Sequence, residues 1–147
     1  MYLRRLLSVV AILLLSIPAT AGEVRMEMRN QFESERFVYA PDIIWITPGD
    51  AVVFVPVDKG HNAVSIDGFG TGVNPQINVG FNEEVLVAFE ESGIYGVKCT
   101  PHVGLGMVGI IVVGDVEVSD AVRASIAKLP PKARERLEEL LSQVERS

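Results

Sequence analysis

Two apolar runs rich in β-branched residues, Gly93 to Lys98 and Val108 to Val113, are joined by the connection Cys99-Thr100-Pro101-His102-Val103-Gly104-Leu105-Gly106-Met107. Runs of this length and composition read as strands, so the chain must fold around a pair of strands and the loop between them. The same signal recurs along the sequence. Val24, Met26 and Met28 alternate with Arg25, Glu27 and Arg29, the period of a half-buried strand. Phe37 to Tyr39 reads as a short edge strand ended by Pro41. Ile43 to Ile46 reads as a buried strand closed by the turn Pro48-Gly49-Asp50. Ala51 to Val57 reads as a central strand in which Pro56 removes one ladder donor near the end. Ala63 to Ile66 and Val85 to Phe89 complete the set. Gln31 to Arg36, Asp58 to Asn62 and Asp67 to Asn74 read as loops, and Glu90 to Gly93 as a turn. Many short strands separated by turn signals predict a mainly β chain, a sandwich or a barrel.

The pattern changes after Asp115. Ser119 suits the N-cap of a helix running to about Lys128, and Pro130-Pro131 ends it. Pro131 suits the first turn of a second helix, in which Ala133, Leu137, Leu140, Leu141 and Val144 fall on one stripe. That stripe predicts two C-terminal helices covering apolar surface of the β domain. The expected division is 1–21, 22–116 for the β domain and 117–147 for the helical extension.

Residues 1–21 carry an export pattern. Arg4 and Arg5 precede the apolar run Leu6 to Ile17, and Pro18-Ala19-Thr20-Ala21 ends in small residues. The run is shorter than the ~20 residues a spanning helix needs. A cleaved signal with its cut after Ala21 is the expectation, leaving a chain with no membrane segment. Removing Arg4 and Arg5 from the 13 basic side chains leaves 11 against 19 acidic ones, a mature charge near −8. Nucleic acid, which demands clustered Lys and Arg, is therefore not an expected partner.

Export makes the cysteine count informative. A single cysteine cannot form an internal disulfide in an oxidising compartment. Cys99 is then a buried bystander, a reactive thiol or a metal ligand. Its neighbours favour the last. His102 and Met107 stand on the same connection, and the only other histidine, His61, stands in the Asp58–Asn62 turn. Taken singly, Met107 reads as core and each histidine as a loop residue. Taken together, one thiolate, two imidazoles and one thioether form a set that suits copper in both oxidation states, the donor set of a type 1 blue-copper centre. Zinc accepts Cys and His, but its usual sites do not draw on Met. With both histidines committed, none remains for a second, catalytic copper, so no enzyme activity is expected. A copper chaperone or buffer is the alternative, although Met-rich and His-rich tracts are absent.

The spacing of His61, Cys99, His102 and Met107 resembles that of the cupredoxins. The segments Pro48 to Asn62 (PGDAVVFVPVDKGHN) and Tyr95 to Met107 (YGVKCTPHVGLGM) resemble the pseudoazurin branch almost residue for residue, and the two C-terminal helices fit it. The resemblance implies a Greek-key β-sandwich of about eight strands with one copper ion cycling between Cu(I) and Cu(II). It implies His61, Cys99, His102 and Met107 as ligands. Asn62 would tie the His61 turn to the Cys99 loop, Thr100 would support that link, and Pro101, lacking an N–H, would limit donors near the sulfur. An apolar patch of Val103, Gly104, Leu105 and Gly106 would be the docking surface. The implied role is a monomeric periplasmic shuttle passing single electrons to a copper nitrite reductase from a cytochrome or similar donor. The family typically rings the patch with lysines, whereas here only Lys59 and Lys98 lie close to the ligands in sequence.

Overall fold

The computed structural model describes residues 21–69 and 75–147, so the export pattern of residues 1–20 and part of the glycine-rich loop lie outside the described residues. Among the described residues nine strands form two sheets packed face to face. They are β1 (Glu23–Phe32), β2 (Glu35–Ala40), β3 (Ile43–Ile46), β4 (Ala51–Pro56), β5 (Ala63–Ser65), β6 (Asn78–Val79), β7 (Val85–Ala88), β8 (Gly93–Lys98) and β9 (Val108–Val113). One sheet has the order β2-β1-β4-β7 and the other β3-β9-β8-β5-β6. β1 pairs with β4, and β3 with β9, in parallel; the other pairings are antiparallel. Helices α1 (Asp120–Ile126) and α2 (Pro131–Val144) follow. Among the described residues no helix is long and apolar enough to cross a membrane.

Two cores explain the two kinds of hydrophobic pattern. Met26, Met28, Tyr39, Phe54, Phe89, Val97 and Ile111 meet between the sheets. β1 has only that face covered, hence its clean alternation. Ile94, Ile110 and Val112 lie on the opposite face of the second sheet and meet Leu137, Leu140, Leu141 and Val144 of α2. β9 is therefore covered on both faces, and all six of its residues are buried. That is why Val108 to Val113 shows no alternation. Ser119 caps α1, its hydroxyl accepting from the Val122 N–H at 3.3 Å, and Pro131 stands in the first turn of α2.

Two expectations need correction. Gln31 to Arg36 is not a loop: only Glu33 and Ser34 turn, and Gln31–Arg36 and Phe32–Glu35 pair across a hairpin. Exposed side chains on both strands leave no apolar rhythm, while backbone pairing needs none. Ile43–Ile46 is an edge strand and not a fully buried one, with Trp45 46% exposed. Among the described residues there are nine strands, in keeping with the expected sandwich of about eight; the two-residue β6 pairs with β5 and is too short to leave a sequence signal.

The turn before β4 gives a pH prediction. The Asp50 carboxylate accepts from the Thr47 N–H, the Thr47 hydroxyl and the Gly22 N–H at 2.6–2.8 Å. Those bonds, the Thr47 N–H first, hold its pKa below the ordinary value. A lowered folded pKa stabilises above the unfolded Asp value of about 3.9, and this is lost as pH falls through the folded value. The Tm deficit of Asp50→Asn, measured by thermal unfolding, is expected at pH 7 and to shrink as pH falls through the Asp range. A deficit constant with pH refutes this.

Candidate metal centre

The connection between β8 and β9 is tied at both ends by its own backbone. The Cys99 N–H donates to the Met107 carbonyl at 3.1 Å, and the Met107 N–H to the His102 carbonyl at 3.2 Å. The His102 and Val103 N–H groups both donate to the Cys99 carbonyl, and Val103–Leu105 forms a single 3-10 turn. Gly106 ends that turn with φ 95°, a left-handed conformation that glycine adopts without strain.

The turn that carries His61 is fixed from outside. Gly60 has φ 92°, and its N–H donates to Asn82 Oδ1 at 2.7 Å, while the Asn82 N–H donates to the His61 carbonyl at 3.1 Å. Asn62 joins the two turns: its Nδ2 donates to Thr100 Oγ1 at 3.0 Å, and its Oδ1 accepts from the Thr100 N–H at 2.8 Å. The buried Tyr39 hydroxyl donates to the Asn62 carbonyl at 2.7 Å.

Together these ties bring His61, Cys99 and His102 to one point. Their donor atoms all lie within 4.8 Å of one another. Cys99 Sγ is 3.4 Å from His102 Nδ1 and 3.7 Å from His61 Nδ1. A sulfur and a nitrogen bonded to one ion at about 2.3 Å and 2.0–2.1 Å, 110–120° apart, stand ~3.6–3.8 Å from each other. The spacing therefore fits a single ion between the three. Met107 is fully buried in the same core cluster as Cys99.

The electrostatics suit a soft cation. Cys99 and His61 are fully buried, while His102 keeps part of its surface in solvent. Burial pushes the Cys99 thiol up, partly opposed by the Asn62 and His102 N–H groups aimed at the sulfur. Burial, and then the neighbouring His102, push His61 down, against a smaller upward pull from Asp58. Both effects favour an uncharged pocket ready to exchange a thiol proton for a metal ion. His61 Nε2 lies 3.0 Å from Asn30 Oδ1. With that oxygen accepting, Nε2 carries the proton and Nδ1, the atom facing the sulfur, keeps its lone pair.

Several of these neighbours carry no clear mark of the site in the sequence: Asn30, Tyr39 and Asn82. Asn30 alone left a trace, since it continues the alternation of Val24, Met26 and Met28 and is the first polar residue on it. The surroundings of the apolar loop also differ from what sequence proximity suggests. Leu105 is 50% exposed and Gly104 exposed, with Val103 and Gly106 half-buried. Beside them opens a cleft of about 310 Å³ lined by Glu35, Arg36, Leu105, Lys132, Glu135 and Arg136 among others. The fold thus adds cations to the rim that are distant in sequence from the ligands, and interleaves them with acids.

Residues 26–114 match the family described as copper binding proteins, plastocyanin/azurin family. The chain is 42% identical over 135 residues to a pseudoazurin of Paracoccus pantotrophus, covering 91% of this chain and 92% of that one. It is 35% identical over 134 residues to a pseudoazurin of Methylorubrum extorquens, covering 88% and 87%. Among solved structures it is similar to the pseudoazurin of Methylobacterium extorquens AM1, with a TM-score of 0.74 and 33% identity over 83% of this chain and 98% of that one. The native pseudoazurin of Hyphomicrobium denitrificans gives a TM-score of 0.73 and 32% identity, covering 83% and 98%.

Proposed function

From the premise that this chain belongs to the plastocyanin/azurin family of copper binding proteins, as a pseudoazurin-like type 1 copper electron-transfer protein, we propose that His61, Cys99, His102 and Met107 hold its copper and that it delivers single electrons to a copper nitrite reductase in the periplasm. The observation that carries the ligand set is the convergence of three donor atoms from two separately locked turns. When bound, copper supplies a one-electron Cu(I)/Cu(II) couple. The chain's part is to keep the donors still. Asn62 and Thr100 hold the His61 turn against the Cys99 loop, Asn30 and Asn82 hold His61, and Pro101 brings no N–H to the sulfur's vicinity. Donors that cannot rearrange keep the cost of changing oxidation state low, which favours fast transfer.

The half-exposed edge of His102 is the exit, and Val103, Gly104, Leu105 and Gly106 are the surface that a partner covers. The mixed rim of Arg36 and Lys132 with Glu35 and Glu135 implies weak electrostatic steering and only a shallow dependence of the rate on salt. Periplasmic location rests on the export pattern of residues 1–21. A cut after Ala21 leaves the amine of Gly22 at 2.6 Å from Asp50 Oδ1, a favourable end for the mature chain. Residues 22–116 and 117–147 act as one folding unit, and the carrier works as a monomer.

The test is stopped-flow reoxidation of the reduced protein by a copper nitrite reductase. Leu105→Glu is expected to slow it about tenfold or more, the size of losing one central contact, with the visible spectrum unchanged. Equal rates for both proteins would reject this surface, and no reoxidation of the wild type would reject this acceptor.

A further inference from the structure

The hairpin of β1 and β2 lies outside both segments that carry the ligands, yet one rung of it reaches both histidines. Across that rung stand Asn30 and Phe37, between the paired positions Arg29–Val38 and Gln31–Arg36. Both continue the alternating rows of their strands toward the sandwich's end, the exposed Asn30 after Met26 and Met28, the half-buried Phe37 before Tyr39. Asn30 meets His61 Nε2. The Phe37 ring stacks on the His102 ring, with centroids 4.4 Å apart and planes 15° apart, and presents an edge to His61 at 6.3 Å and 61°. The Arg36 guanidinium lies 5.4 Å from the Phe37 centroid.

Phe37 also has φ 53°. A bulky side chain enters the left-handed region only at a cost, and such outliers persist where the surroundings hold them. The half-exposed His102 lacks the full burial that immobilises His61, so a ring lying flat on it supplies a restraint the loop alone does not. We propose that Phe37 is a positioning residue for His102: its stacked ring sets the plane of that ligand, while its rung partner Asn30 sets the other histidine. The inference rests on the assignment of His102 as a copper ligand.

The experiment compares the wild type with Phe37→Leu, Phe37→Gly and Phe37→Tyr. Glycine adopts the left-handed backbone freely, so it removes the ring without backbone strain, and tyrosine keeps the ring. In the copper-free protein, proton NMR is expected to show the His102 ring resonances displaced by the Phe37 ring current, and that displacement lost in the leucine and glycine variants. In the copper-loaded protein, those two variants are expected to change the relative intensities of the visible bands and to weaken Cu(I) binding, measured by chelator competition, about 2- to 10-fold, the size of one ring–ring contact. The tyrosine variant keeps the wild-type values. A lower Tm with unchanged bands and affinity in both ring-deleted variants assigns Phe37 a packing role only and overturns the proposal. A wild type without an intense visible band overturns the ligand assignment beneath it, whereas an intense wild-type band with indistinguishable variants overturns this inference alone.

Discussion

Cys99→Ser is expected to abolish the intense visible absorption of the copper-loaded protein. The band requires charge transfer from a thiolate sulfur to Cu(II). A serine hydroxyl is a hard donor that stays protonated at neutral pH, so neither the energy match nor the charge is available. The two histidines remain at their stations, held by Asn30, Asn62 and Asn82, so the variant is expected to retain weaker, nearly colourless Cu(II) binding. The fold is expected to survive. Serine has almost the shape of cysteine, and the Asn62 and His102 N–H groups that face the sulfur offer its oxygen a partner. The copper-free variant should therefore unfold within about 1 kcal/mol of the wild type, the net worth of a typical hydrogen bond. Titration with Cu(II) followed by absorbance, together with thermal unfolding of the copper-free form, separates the two effects. A persistent intense band in the variant would remove Cys99 from the site.

The largest loss of stability is expected in the second core, from Leu137→Ala. Leu137 is fully buried and belongs to the cluster that joins α2 to Ile110 and Val112 on the outer face of β9. Emptying such a site costs ~2–5 kcal/mol, because the transfer energy is lost and a cavity remains. For a domain of this size, at about 3–5 °C per kcal/mol, that corresponds to a fall in Tm of roughly 6–25 °C. The consequence reaches the metal centre only indirectly. β9 begins next to Met107, and α2 lies close to the 3-10 turn Val103–Leu105, with the Lys132 backbone near Gly106. The visible band position should hold while the protein is folded, and a single transition should report both sandwich and helices. A separate, earlier transition for the helices would make residues 117–147 an accessory and not part of the folding unit.

The contrast between these two residues tracks what could be read in advance. Leu137 sits on a stripe of period 3.6, and Cys99 is the single cysteine of the chain, beside His102 and Met107. Each is legible because its meaning lies in local spacing or in composition. β1 announced itself by alternation, and β9 by an unbroken apolar run whose second cover, α2, was visible as a stripe. The hairpin turn at Glu33-Ser34 was not legible, because exposed strands pair through their backbones and leave the side chains uncommitted. Trp45 misled because an edge strand on the margin of the second sheet has the same letters as a buried one.

The sequence by itself determined the class of fold, the two-helix extension, the soft donor set and the absence of histidines for a second copper. Those properties depend on residue type and short-range period, which the chain carries in one dimension. Only the tertiary structure decided what stands around the donors. Asn30 on His61, Phe37 on His102, Tyr39 on the Asn62 carbonyl and Asn82 on the His61 turn come from 21 to 65 residues away. Arg36 and Lys132, far from the ligands in sequence, reach the rim beside Leu105 by the packing of β2 and α2 around the loop. Such contacts are fixed by register and by sheet order, and a one-residue slip of β1 against β2 would turn Asn30 and Phe37 away from the site. The identity of the ion is written in the donors; how still they are held, and what meets them at the surface, is written in the packing.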